Sequence, residues 1–136
     1  FSRKEMRASV TAQSVLLVDD SAFFRNMLAP VLKAAGYKVR VAVNAQEGLS
    51  ALRAQNFNVV LTDIEMPDMN GFEFAETIRA DNNLSQMPII ALSSLVSPAA
   101  IERGRQAGFH DFVAKFDRPG LIAALKEQTA EDKRAA

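Results

Sequence analysis

The segment Val15-Leu16-Leu17-Val18-Asp19-Asp20-Ser21 changes character abruptly. An apolar run ends on two acids and a residue able to cap a helix. Three further runs have the same build: Val39 to Val43, Val59-Val60-Leu61 and Pro88-Ile89-Ile90-Ala91-Leu92. Each is short, rich in β-branched residues and bounded by polar or turn residues. Such runs predict strands buried on both faces, as in a parallel sheet. A weaker fifth strand is expected over Phe109 to Ala114, around Phe112 and Val113.

The stretches between the runs have helical spacing. Ser21 is placed to cap a helix carrying Phe24, Met27, Leu28, Val31 and Leu32, with Gly36 to stop it. Pro30 lies inside this helix and is expected to kink it. Asn44-Ala45-Gln46-Glu47 resembles a capping box ahead of Leu49 and Leu52. A third helix is expected over Gly71 through Ala80. Ser97-Pro98 opens a fourth that Gly108 closes, and Asp117 caps a last one carrying Leu121, Ile122 and Leu125. Strands alternating with helices predict βα repeats with right-handed connections, hence a three-layer α/β domain. Residues 1–12 read as a linker or the tail of a preceding domain, 13–129 as the domain itself and 130–136 as a C-terminal tail. A first residue of Phe1 rather than Met suggests a piece of something longer.

Composition narrows the chemistry. The chain has 136 residues, 16 basic and 16 acidic side chains, and a formal net charge of zero. A chain of this size buries roughly two thirds of its unfolded surface in one core. Zero net charge argues against nucleic acid and membrane surfaces as partners. With no cysteine, disulfides, thiolate metal sites and cysteine nucleophiles are excluded, and with His110 as the one histidine, so are multi-histidine zinc sites. No apolar run approaches the length of a membrane helix.

Ligands of an open parallel sheet bind outside the carboxyl ends of its strands. The first strand is followed by Asp19-Asp20, the third by Thr62-Asp63, the fourth by Ser93-Ser94 and the fifth by Lys115. Taken singly, an Asp after a strand caps the next helix and a lone Lys is a solvated side chain. Together they bring carboxylates, a hydroxyl and an ammonium to one sheet edge. Like charges about 4 Å apart repel by roughly 4 kcal/mol at an effective dielectric near 20, so the acids require a cation among them. Hard oxygen ligands select Mg²⁺ or Ca²⁺, and Mg²⁺ suits a few carboxylates beside a phosphate.

Four pieces of the chain, in order, resemble the receiver domain of bacterial two-component signalling, over about residues 14–128. They are Val18-Asp19-Asp20-Ser21; Thr62-Asp63-Ile64-Glu65-Met66-Pro67 with Asn70-Gly71; Pro88-Ile89-Ile90-Ala91-Leu92-Ser93; and Ala107-Gly108-Phe109 followed by Phe112 and Lys115. The resemblance implies a flavodoxin-like, doubly wound (βα)5 fold with a five-stranded parallel sheet in the order 2-1-3-4-5. It also implies that Asp63 accepts a phosphoryl group from a phosphohistidine. Asp19, Asp20, Asp63 and the backbone carbonyl of Glu65 would hold Mg²⁺, with Mn²⁺ as an alternative. Lys115 and Ser93 would contact the phosphoryl oxygens, and Phe112 would turn inward behind Ser93 as the switch aromatic. His110 is expected at the surface, without a phosphodonor role. Glu65 and Leu95 are expected at the mouth of the site, where the family tunes acyl-phosphate lifetime.

One position departs from the family pattern. Many receivers follow the lysine with a cis-proline, whereas Phe116 follows Lys115 here. A cis bond before a non-proline residue costs about 2.5–4 kcal/mol. A locally different loop is therefore expected, with Lys115 still reaching the site. Lys115-Phe116-Asp117-Arg118 and Asp20-Ser21-Ala22-Phe23-Phe24-Arg25 look more like receivers fused to the end of chemotaxis-type histidine kinases. The reading is thus a cytoplasmic signalling module, itself not an enzyme. Its donor is a histidine kinase or phosphotransfer domain, and it has a possible downstream signalling protein. The alternatives are a stand-alone regulator, a phosphate sink, and a metal-dependent phosphohydrolase working through an aspartyl phosphate. The last usually carries an Asp-x-Asp pair and a cap insertion, and neither is present. A nucleotide-binding protein is disfavoured by the absence of a glycine-rich phosphate loop.

Overall fold

The computed structural model describes residues 13–94 and 96–129. The expected linker (1–12), the expected tail (130–136) and Leu95 lie outside the described residues. Elements alternate along the chain: β1 (Ser14–Val18), α1 (Ala22–Ala34), β2 (Lys38–Ala42), α2 (Ala45–Ala54), β3 (Val59–Asp63), α3 (Gly71–Ala80), β4 (Ile89–Ser93), α4 (Pro98–Ala107), β5 (Asp111–Ala114) and α5 (Arg118–Thr129). All four strand pairings are parallel, and the sheet order is β2-β1-β3-β4-β5. This is the flavodoxin-like topology expected from the sequence.

The period-two alternation of the strands builds two cores. Leu16, Val18, Val60, Ile89 and Ala91 face α2 and α3, where Leu49, Phe74 and Ile78 pack on them. Val15, Leu17, Leu61, Ile90 and Leu92 face α1 and α5, which contribute Phe24, Leu28, Leu32, Leu121 and Leu125. β1, β3 and β4 are covered on both faces, as their unbroken apolar runs require. β2 corrects the expectation for that class. It pairs only with β1 at the sheet edge, and Val41 and Val43 remain 42% and 39% exposed.

Local signals set the helix ends. The side chains of Ser21, Asn44, Asn70 and Ser97 accept from Phe24, Glu47, Glu73 and Ala100 backbone N–H groups. Asp117 Oδ1 likewise accepts from Gly120 N. The reciprocal capping box is at Asn70–Glu73. At Asn44, Glu47 instead accepts from Val43 N. α1 runs unbroken through Pro30, which lies on its exposed side, where water can meet the freed carbonyl. The fifth strand is shorter than expected, beginning at Asp111. Phe109 stacks edge-on between Phe72 and Phe112 instead of joining the ladder.

Gly71 ties the loop after β3 back to the strand. Its N–H donates to Ile64 O at 2.7 Å, and a Cβ there would sit 2.5 Å from Asp63 O and 2.8 Å from Ile64 Cα. Both obstacles are backbone and cannot move aside. Gly71→Ala is expected to lose about 2–3 kcal/mol of stability in urea denaturation. An unchanged midpoint would contradict this packing.

Candidate functional site

Parallel register puts all the strand carboxyl ends at one edge. Val18 pairs with Thr62, Asp63 with Leu92, and Ser93 with Ala114, so the residues at or after these ends are neighbours. Asp19 is fully buried, and Asp63 and Ser93 are 5% and 9% exposed, whereas Asp20 opens to solvent. One carboxylate oxygen from each of Asp19, Asp20 and Asp63 can be chosen so that all lie within 4.8 Å of one another. Lys115 reaches into this cluster despite Phe116. Its Nζ is 3.1 Å from Asp19 Oδ2 and 3.4 Å from Asp63 Oδ2.

Backbone contacts hold each group in place. Ser21 N donates to Asp19 Oδ1 at 2.8 Å, and Arg25 Nη1 donates to Asp19 O at 2.7 Å. Arg25 lies one helical turn beyond the cap residue, so it folds back over the loop that carries the acids. Ile64 N donates to Asp63 Oδ1 at 2.8 Å, which leaves Oδ2 facing Lys115. Lys115 N donates to Ser93 O at 2.9 Å, and no described peptide bond is cis. The loop expected to differ is a turn closed by Asp117 N donating to Ala114 O at 3.1 Å.

Burial pushes the Asp63 carboxyl up to about 6, and the neighbouring Asp19 adds to this; Lys115 and the Ile64 N–H pull the other way. Burial also works against the Lys115 ammonium, but Asp63 and Asp19 outweigh it and hold its pKa above the ordinary lysine value. The cluster thus sets three carboxylates against a single ammonium, which leaves an excess of acidic groups. Asp19 Oδ2 is buried, and beyond the Lys115 ammonium at 3.1 Å it has no other hydrogen-bond donor among the described residues. Oxygen ligands, an under-satisfied buried carboxylate and an open side at Asp20 together fit a small hard divalent cation.

The remaining expected residues lie around this cluster. Glu65 is exposed in the loop after β3. Phe112 is half-buried on the α4 flank, its ring over Gly104 and edge-on to Phe109 at 6.3 Å, outside the charged cluster. His110 is exposed at the opposite end of β5, where its Nδ1 lies 3.1 Å from Arg79 Nη2 and accepts from Ile89 N.

A family model for the response regulator receiver domain matches residues 15–126. The chain belongs to this family. The receiver is 33% identical over 127 residues to the sensory/regulatory protein RpfC of Xanthomonas campestris pv. campestris. That match takes in 92% of this chain and 17% of RpfC. The chemotaxis response regulator CheY4 of Vibrio cholerae superposes with a TM-score of 0.80 at 32% identity, over 86% of this chain and 98% of that one. The receiver domain of the sensor histidine kinase PA1611 of Pseudomonas aeruginosa, solved with a magnesium ion coordinated in its active-site cleft, gives 0.80 at 28% identity over 88% and 99%. The receiver spans only 13% and 17% of the lengths of two of the curated relatives it matches. No helix among the described residues is long and apolar enough to cross a membrane.

Two contacts of the receiver's site were not anticipated. Arg25 appeared in the sequence only as part of a subfamily resemblance. Phe24 is read from the sequence as an apolar position of α1 and as part of the same resemblance, yet Lys115 Nζ lies 4.5 Å from the centroid of its ring. Their positions one turn and less than one turn past Ser21 were the available signal, because the first turn of α1 faces the strand ends.

Proposed function

We propose that Asp63 is the phosphoacceptor of a two-component phosphorelay and that Asp19, Asp20, Asp63 and the Glu65 carbonyl hold Mg²⁺. The observation that carries this is the Lys115 ammonium set between Asp19 and Asp63, at 3.1 and 3.4 Å, beside the solvent-open Asp20. Asp63 Oδ2 attacks the phosphorus of a donor phosphohistidine; the O–P bond forms as the N–P bond breaks, and the imidazole leaves with the electron pair. Lys115 takes a phosphoryl oxygen as its new partner, and the Ser93 hydroxyl donates to another. When bound, Mg²⁺ supplies neutralisation of the charge shared by carboxylates and phosphoryl oxygens. Phosphorylation exchanges the Asp63 carboxylate charge for a phosphoryl group of roughly −1.5 to −2, a net gain of about one negative charge or less, and adds three acceptor oxygens, which Ser93 and Phe112 read out by moving toward the site.

The domain is taken to run over 13–129. A fused position in a hybrid, chemotaxis-type histidine kinase is supported by the match to a short part of RpfC and by the PA1611 receiver. A stand-alone regulator is favoured by the near-complete coverage of CheY4. A cytoplasmic location goes with either, because the donor phosphohistidine is made from ATP. The chain assists only its own phosphorylation and hydrolysis, with no turnover of external phosphoesters.

A radiolabelled acyl phosphate tests this reading. Labelling is expected with millimolar Mg²⁺ and to fall by about a hundredfold or more with EDTA. Equal labelling under both conditions would overturn it.

A further inference from the structure

Phe116 is 68% exposed, yet its ring is placed. It stands edge-on to Phe24 with centroids 6.0 Å apart and an interplanar angle of 88°. Phe24 is buried, at 2% exposure, and the Lys115 ammonium lies 4.5 Å from its ring centroid. Lys115 and Phe116 are the two central residues of the turn closed by Asp117 N and Ala114 O. The ammonium therefore has an aromatic neighbour in addition to its two carboxylates.

We infer that Phe24 and Phe116 form an aromatic clamp that positions the Lys115 ammonium for the phosphoryl group. The inference rests on the receiver reading above. A lysine stem is flexible, and holding its head at one point costs rotamer entropy. Carboxylates alone are a poor guide, because Asp63 gives up its Oδ2 charge when the acyl phosphate forms, and the ammonium must then shift to a phosphoryl oxygen. An aromatic face attracts a cation through its quadrupole without demanding one direction. Phe24 thus supports the ammonium before and after the shift. Phe116 packs perpendicular to Phe24 and fixes the turn from which Lys115 projects. These are positioning residues, acting through Lys115.

The test uses the full chain with Mg²⁺ alone and with Mg²⁺ plus beryllofluoride, a mimic of the bound phosphoryl group. Phe116→Ala is expected to weaken beryllofluoride binding about three- to tenfold. Mg²⁺ affinity should stay within about twofold, since Phe116 supplies no oxygen ligand and acts through the turn that carries Lys115. Phe116→Tyr keeps the ring and should restore binding, whereas Phe116→Leu keeps apolar volume and should not. Unchanged beryllofluoride binding in Phe116→Ala, a parallel loss of Mg²⁺ affinity, or rescue by Leu would each overturn the clamp. If the unaltered chain bound no beryllofluoride with Mg²⁺, the receiver reading itself would fall, and the clamp with it.

Discussion

Replacing Asp63 with Asn is expected to abolish phosphoryl labelling and, in the absence of metal, to make the protein more stable. The first effect follows from the nucleophile. An amide oxygen carries no full charge and forms no stable acyl phosphate, so labelling should drop at least about a thousandfold. The second follows from burial. The Asp63 carboxyl is pushed up to about 6 from 3.8, chiefly because charge is costly at a site where the residue is 5% exposed, with Asp19 beside it. Between about pH 4 and 6 the folded state then binds more protons than the unfolded state. Stability contributed by this group is present below that window and is lost as pH rises through 6. Asn carries no charge to bury, so its advantage is full above pH 6 and vanishes toward pH 4.

A shift of this size corresponds to roughly 3 kcal/mol, and solvent entering at the open mouth reduces it to about 1–2 kcal/mol. Thermal unfolding should show the variant roughly 3–8 °C above the parent at pH 7 with EDTA. The gap should narrow as Mg²⁺ is added, because the parent gains binding energy that the variant lacks. Labelling of the variant at the parental rate would remove Asp63 from its role. A metal-free variant less stable than the parent at pH 7 would show that the carboxylate is not strained.

The strand ends were legible because the sequence changes chemistry there in one step. Val18 to Asp19 and Leu92 to Ser93 each pass from apolar to polar, and parallel pairing turns those sequence positions into one edge. What the runs could not convey was their neighbours. Val39 to Val43 looks like an inner strand, but its position beside β1 alone leaves Val41 and Val43 partly open. Phe109 reads as strand material, but the Phe72–Phe109–Phe112 stack claims its ring. Phe24 was counted correctly as core, and its second use under Lys115 depends on a side-chain meeting between α1 and the turn after β5. Pairwise meetings of that kind have no sequence period to reveal them. Lys115 was recoverable despite Phe116 because its reach follows from the end of β5, through Ala114 opposite Ser93, and not from the residue after it.

Lys115→Ala should separate metal binding from phosphoryl transfer by moving them in opposite directions. The Lys115 side chain is 14% exposed, and its ammonium lies 3.1 Å from one carboxylate and 3.4 Å from another. Its removal takes away the charge that would meet the phosphoryl oxygens, so labelling should slow by about 10²- to 10³-fold, the usual cost of losing a preorganised donor. The same removal takes a positive charge away from the place where a divalent cation would bind. At pH 8, Mg²⁺ should therefore bind about three- to tenfold more tightly than to the parent. The pH dependence supplies a further check. Lys115 is one of the groups that pull the Asp63 carboxyl down, so in the variant that carboxyl moves above its value of about 6. Protons then compete with Mg²⁺ at a higher pH, and the gain in affinity should shrink and disappear as the solution is acidified toward pH 6. Without metal, breaking a buried pair from one side should cost about 1–3 kcal/mol at neutral pH, a deficit that acid relieves by protonating Asp63. Labelling at the parental rate, or Mg²⁺ binding weakened at pH 8, would show that Lys115 serves the fold alone and not the phosphoryl group.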